Sequence, residues 1–78
     1  SYPPAALALK FEGKVRVEFH LKDRVPSAAR VVVSSNIGMI DRAALQAVQN
    51  ANYAEPPPEL QGKDHIFVGN VAFYLPRN

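Results

Sequence analysis

The fold of this chain is decided by residues 14–21, which read KVRVEFHL. Apolar side chains occupy every second position of this stretch, at Val15, Val17, Phe19 and Leu21. Alternation with a period of two predicts a β-strand that has one apolar face and one solvated face. A strand of this kind favours an antiparallel sheet over a parallel sheet that is buried on both faces.

A second strand is predicted at residues 30–35, RVVVSS, because its centre consists of β-branched residues. Residues 22–29 separate the two strands and include Pro26 and Ser27, which predict the turn region. Because this separation is short, we expect the two strands to pair as a hairpin.

Two helices are predicted. Residues 3–9 favour a short helix, since proline is tolerated in a first helical turn and Ala and Leu are strong helix formers. Gly13 is expected to stop it. Residues 39–52 favour the main helix, with Asp41 near its start, where the helix dipole stabilises an acid. One apolar stripe follows at helical spacing: Ile40, Ala44, Ala47, Val48 and Ala51.

The remaining segments complete an α+β fold. Three prolines at 56–58 end any helix, residues 61–64 predict a turn, and residues 66–75 predict a third strand. We therefore expect one domain over residues 1–78. Its fold is a three-stranded antiparallel sheet with two helices packed on one face, in the order helix-strand-strand-helix-strand.

The third strand is expected to lie at an edge of the sheet, where it offers unpaired N–H and C=O groups to another chain. Neither Pro nor Lys, residues that protect natural edges, occurs between Ile66 and Leu75. Gly69 inside this strand predicts a bulge or a close approach of another backbone. Val71, Phe73 and Leu75 are expected to share a face.

The composition and the spacing of reactive residues narrow the classes of function that we expect for this chain. Nine Lys and Arg against seven Asp and Glu give a net charge of +2, spread along the chain without the basic patch of a nucleic-acid binder. The chain has no cysteine and therefore no disulfide, thiolate ligand or Cys nucleophile. His20 and His65 have no neighbouring ligands in the sequence, and Ser34-Ser35 lacks a nucleophile elbow. We expect no enzyme activity, cofactor or metal site.

Further motifs occur in order along the chain: Tyr2-Pro3 with Ala6, residues 12–19, 31–35 and 40–48, Tyr53 with 56–58, and residues 70–75. In this order and spacing they resemble the C-terminal domain family of TonB energy transducers. Two positions depart from the family pattern. Asp23 is followed by Arg24 where Asp-Gly is common, and Asn36 replaces a frequent Gly, although Asn tolerates positive φ well.

The resemblance implies a periplasmic binding module. It would couple the inner-membrane proton-motive force to outer-membrane transport of siderophores, haem or vitamin B12. Its partner would be the TonB box, a short segment of a TonB-dependent outer-membrane transporter, captured by strand addition to the last strand. The resemblance also implies a membrane anchor and a Pro-rich spacer upstream, with the proteins ExbB and ExbD as partners of that upstream part.

The expected partner-binding residues lie at the two ends of the chain: Tyr2, Pro3, Ile66, Phe67, Val68, Gly69, Asn70, Val71, Ala72, Phe73 and Tyr74. The backbone of the last strand is expected to pair with the partner, while the side chains of Val71 and Phe73 fill the core. Tyr2 and Pro3 either contact the transporter or staple the first helix.

Three alternatives stay open at this point. A close alternative is a relative within the same machinery, such as a dedicated haem-uptake paralogue or a TolA-like envelope domain. A small RNA-binding α+β module is a different class, although the RNP1 run of the RNA recognition motif is absent. The third is a self-associating structural domain, which would pair through the edge strand as a monomer or weak homodimer.

Overall fold

The computed structural model describes residues 2–77, so Ser1 and Asn78 of the predicted domain lie outside the described residues. Helix α1 (Pro4–Ala8) precedes strands β1 (Gly13–Lys22) and β2 (Val25–Val33). Helix α2 (Gly38–Asn50), a short 3-10 helix (Pro58–Leu60) and strand β3 (Asp64–Phe73) follow. Both strand pairs are antiparallel, and the sheet order is β2-β1-β3. The predicted fold class and the edge position of the last strand are confirmed.

The core lies between the helices and one face of the sheet. It consists of Ala6, Val15, Val17, Ile40, Ala43, Ala44, Val48 and Phe73. Val15 and Val17 of the central strand and Ile40 of α2 are its largest fully buried side chains. Burying a side chain of this size stabilises a fold by about 1.5–3 kcal/mol. The alternation in β1 therefore decides which face of the sheet the helices cover.

Helix α2 covers only part of that face. It lies mainly over β1 and β2 and barely reaches β3. Three residues of the predicted stripe, Ile40, Ala44 and Val48, are buried, and Ala43 is buried with them. Ala47 is half-buried, and Ala51 is exposed just beyond the end of the helix. The stripe is therefore a core contact at its beginning and an open surface at its end.

The end of α1 corrects the prediction that Gly13 stops this helix. Lys10 stops it instead by adopting a left-handed conformation with φ 58°. The Phe11 N–H donates to the Ala6 carbonyl at 2.8 Å and the Lys10 N–H to the Leu7 carbonyl at 3.1 Å. These two bonds form a Schellman motif, which satisfies carbonyls left open at a helix end. Gly13 is the first residue of β1.

The hairpin turn is shorter than predicted. Lys22 pairs with Val25, so the turn is Asp23-Arg24, and Pro26 and Ser27 belong to β2 instead of breaking it. Proline is tolerated there because an edge strand leaves some N–H groups without a ladder partner. The Asp23 carboxylate accepts a hydrogen bond from the Gly62 N–H at 2.7 Å. This bond ties the hairpin turn to the turn before β3.

The two pairings of β1 differ in regularity. Along β2 the register shifts twice, between Arg16 and Val17 and again between Glu18 and His20. Ala28 stands at the second shift with φ 51°. Along β3 the register runs without a shift over all described pairs, including Val17 with Gly69. The predicted bulge at Gly69 is therefore wrong, because no extra residue interrupts that ladder.

Ser34 and Ser35 were predicted to end the second strand, but they lie beyond β2 and support the start of α2. The Asp41 carboxylate accepts hydrogen bonds from the Ser35 hydroxyl at 2.6 Å and the Ser35 N–H at 2.9 Å. Partial burial acts to raise the pKa of Asp41, but the hydrogen bonds of both serines outweigh it, so the pKa lies below its usual value. Asn36 adopts φ 66°, as its tolerance of this region predicts.

Two strand glycines should respond oppositely to an added methyl group. A Cβ at Gly13 would lie 3.0 Å from the Ser35 Cβ and 3.5 Å from the Ile40 Cγ2, whereas one at Gly69 would meet no described atom within 4 Å. We expect Gly13→Ala to cost about 1–3 kcal/mol through overpacking. Gly69→Ala should be neutral or stabilising by up to about 1 kcal/mol. Urea denaturation measures both, and equal effects would contradict the packing described here.

Candidate protein-interaction site

The two edges of the sheet are unequal. The β2 edge contains Pro26 and two register shifts, and both features hinder pairing with another chain. The β3 edge is ten residues long, and after Asp64 and His65 it contains no titratable side chain. It has neither Pro nor Lys, and no register shift interrupts its pairing with β1. The edge of β3 is therefore the one that is open to strand addition.

The predicted site residues of β3 divide between the two faces of the sheet. The register places Phe67, Gly69, Val71 and Phe73 on the helix face, opposite the apolar positions of β1 and Gly13. The same register places Ile66, Val68, Asn70 and Ala72 on the open face, opposite the charged and polar positions of β1. Ile66 is 61 % exposed and Val68 56 % exposed. A partner strand on this edge would meet an apolar surface on both faces.

The last strand ends two residues earlier than predicted. Phe73 pairs with Gly13, the first residue of β1, so no β1 residue remains for a longer ladder. The Leu75 N–H instead donates to the Glu12 carboxylate at 2.5 Å, and Arg77 donates to the same carboxylate at 2.8 Å. Tyr74 is exposed and lies beyond the strand. Its predicted contact with a partner would therefore be made by its side chain, outside the ladder.

Tyr2 lies beside this end of β3. Its ring contacts Phe73 edge-on with centroids 5.5 Å apart, and its hydroxyl donates to the Phe11 carbonyl. Burial, followed by the negative charge of Glu12, raises the pKa of Tyr2. The Pro3 carbonyl accepts the Leu7 N–H at 2.9 Å. These contacts favour the staple role for both residues, and a partner contact of Tyr2 or Pro3 stays a prediction.

A groove opens beside the middle of β3, on the helix face. It has a volume of about 260 Å³ and lies between the last turn of α2 and the sheet. Its described lining residues are Val17, Phe19, Ala47, Val48, Ala51, Tyr53, Gly69, Asn70 and Val71. The groove was not predicted from the sequence, although the small residues Ala47 and Ala51 line it. Their spacing indicated a packed helix face and did not show that β3 lies outside its reach.

A second apolar groove of about 300 Å³ lies near the start of β3. Leu21, Leu60 and the segment 54–57 surround it, together with His65 and Phe67. Phe67 stacks on Phe19 with ring centroids 5.8 Å apart. Phe67 remains 46 % exposed because α2 does not reach this part of the sheet. Apolar surface therefore continues along the helix face of β3 from one groove to the other.

Two side-chain pairs lie on the open face. Arg30 contacts Glu18 at 3.0 Å, and the His20 Nδ1 lies 2.6 Å from the Asp64 carboxylate. His20 was expected to be plain surface and is instead half-buried in this pair. Among residues 2–77, no three His, Cys, Asp or Glu side chains converge as metal ligands. No helix in this part of the chain is both long and apolar enough to cross a membrane.

A small α+β domain with one unprotected strand edge is typical of a protein-interaction module. The family model described as the Gram-negative bacterial TonB protein C-terminal domain matches residues 1–75. The chain therefore belongs to the TonB C-terminal family, as its motifs predicted. Neither the curated proteins nor the solved structures yield a significant match.

Membership gives the coarse function. The family consists of non-catalytic interaction domains of Gram-negative envelope proteins. These proteins are TonB-type energy transducers, and their C-terminal domains interact with outer-membrane transporters. The chain is thus an interaction domain of this type.

The stabilisation that the Glu12 carboxylate gives to the end of β3 should depend on pH. Hydrogen bonds from Arg77 and from the Leu75 N–H lower the pKa of Glu12. A carboxyl with a lowered pKa in the folded state stabilises the fold above its ordinary pKa, about 4.3, and loses that effect as the pH falls. We expect Glu12→Gln to lose less stability than the unsubstituted chain between about pH 6 and pH 3.

Urea denaturation at the two pH values, with amide exchange at Leu75, measures this effect. Glu55→Gln in the segment after α2 is the charge-matched control and should keep the full acid dependence. Equal acid dependence of Glu12→Gln and the unsubstituted chain would contradict a role of Glu12 in holding the end of β3.

Proposed function

We propose that this domain captures the TonB box of a TonB-dependent outer-membrane transporter by adding it as a fourth strand along β3. The observation that carries the proposal is the edge itself, which is regular over ten residues while the opposite edge is interrupted by Pro26 and two register shifts. An extended peptide finds there the unpaired main-chain groups that it needs.

The energetics require more than main-chain pairing. A backbone hydrogen bond contributes a net of about 0.5–1.5 kcal/mol, whereas ordering one residue of a flexible peptide costs about 1–2 kcal/mol. A strand of five or six residues would gain little from the ladder alone. The apolar surfaces on both faces of β3, including Ile66 and Val68 on the open face, supply the additional burial.

We also propose for this domain the wider role that is typical of the family. The domain would act in the periplasm, joined to an inner-membrane anchor by a Pro-rich spacer upstream. ExbB and ExbD would supply proton-motive energy through that upstream part. Transport of a siderophore, haem or vitamin B12 would be the process served.

An NMR titration of the isotope-labelled domain with a synthetic TonB-box peptide tests the proposal. We expect amide shifts concentrated between residues 66 and 75, with weaker shifts near Tyr2. Shifts concentrated on β2, or no shift at millimolar peptide, would contradict strand addition at β3.

Two chemical variations make the test specific for main-chain pairing. Peptides methylated at two alternate backbone nitrogens lose the corresponding donors. Because only every second peptide amide faces β3, one methylation phase should weaken binding by about tenfold or more and the other should be tolerated. Equal effects of both phases would indicate that side chains alone hold the peptide.

A matched pair of substitutions separates the two edges. Val68 on β3 and Val33 on β2 are 56 % and 53 % exposed, and both lie on the open face. We expect Val68→Lys to weaken binding by up to about fivefold, since a cross-strand pair contributes up to about 1 kcal/mol. Val33→Lys should leave the affinity unchanged. The reverse result would assign the partner to the β2 edge.

Other occupants of the edge are outcomes of the same experiments. Shifts along β3 on concentrating the domain without peptide would indicate self-pairing, which light scattering would measure as a weak dimer. Failure of TonB-box peptides with an intact, monomeric edge would favour a TolA-like envelope partner. A salt-sensitive shift with single-stranded RNA would favour the hypothesis of an RNA-binding module.

A further inference from the structure

The groove beside Gly69 has no occupant within the described chain. Phe19 and Tyr53 are two of its lining residues, and their ring centroids lie 5.8 Å apart. The Tyr53 hydroxyl donates to the Val48 carbonyl at 2.7 Å, so its proton is already bonded to the last turn of α2. Because α2 lies over β1 and β2, the groove opens on the β3 side of the sheet. A strand added to β3 would run along its mouth.

The absence of a side chain at Gly69 creates the space. A Cβ built at this position meets no described atom within 4 Å. The neighbouring helix-face residues Phe67 and Val71 carry side chains, so the opening is confined to one step of the ladder. Side chains of an added strand alternate between the faces. One of its residues therefore points to the helix face at the level of Gly69.

The groove has room for a bulky side chain, and its lining favours an apolar one. About 260 Å³ lies below the range of about 300–1,000 Å³ that is usual for small-molecule pockets. None of its described lining residues is charged, and the Tyr53 hydroxyl is already bonded. A charged side chain would lose its hydration there without gaining a partner. A branched aliphatic or aromatic side chain would gain burial against Phe19 and Tyr53.

We propose that this groove is a specificity pocket that selects a bulky apolar residue at one fixed position of the added strand, and that Gly69 keeps it open. The inference rests on the proposed strand addition and extends it from main-chain pairing to side-chain selection. In strand addition, backbone bonds provide affinity and pockets for alternate side chains provide specificity. The pocket fixes the register of the partner because only one step along β3 lacks a side chain on that face.

The test uses a series of TonB-box peptides in which one Leu replaces Ala at each position in turn. Affinity for the unsubstituted domain should peak at one position by about tenfold over the all-Ala peptide. Gly69→Val adds a β-branched side chain that strands favour and fills the groove, so it should abolish the peak. The peak is measured for each variant relative to its own all-Ala peptide, so that a general change in the affinity of the edge does not count toward it.

Ser27→Val is the matched control, because Ser27 is an exposed open-face residue of β2, the other edge strand. This variant should keep the peak at the same position. Circular dichroism and denaturation midpoints establish that both variants are folded. If all peptides bind equally well, or if the peak survives Gly69→Val, the pocket is refuted while strand addition stands. If no peptide of the series binds, strand addition fails and the pocket fails with it.

Discussion

The pairing of β1 with a long neighbour on each side is the constraint on which the rest of the structure depends. Its alternating side chains place Val15 and Val17 under Ile40 and direct the charged residues to the other face. A helix is about 10 Å across, whereas neighbouring strands lie about 4.8 Å apart. One helix centred on β1 and β2 therefore cannot also cover β3. The open half of the sheet is a geometric consequence of packing α2 on the central strand.

The uneven cover of the sheet by α2 coincides with a difference between its two edges. The β2 edge next to the covered half is broken by Pro26 and by register shifts, one of which places Ala28 at positive φ. Natural sheets use such irregularities to prevent association. The β3 edge next to the uncovered half is regular and apolar, which is the composition of a segment prone to pair. An interaction domain needs one such edge and benefits from protecting the other.

Beyond the ladder with β1, which runs along the whole of β3, further contacts hold both ends of this strand. At the beginning, Asp64 contacts His20, and Asp23 holds the preceding turn through the Gly62 N–H. At the end, Tyr2 packs on Phe73, while Glu12 accepts hydrogen bonds from the Leu75 N–H and from Arg77. A strand held in this way is already ordered before a partner arrives, which lowers the entropic cost of binding. The N-terminal segment thus contributes to the proposed edge by positioning it.

The sequence by itself determined the strands, the order of the elements and the family. The period-two alternation at 14–21 and the order of the motifs can be recognised in the sequence without knowledge of the packing. It misplaced the stop of α1 and the hairpin turn, because Lys10 and Asp23 adopt positive φ where Gly is the usual residue. It also assigned Ala47 and Ala51 to the core. Only the tertiary structure decided that α2 stops short of β3 and leaves a groove at Gly69. That outcome depends on where one helix sits across three strands, a distance that no local pattern of residues encodes.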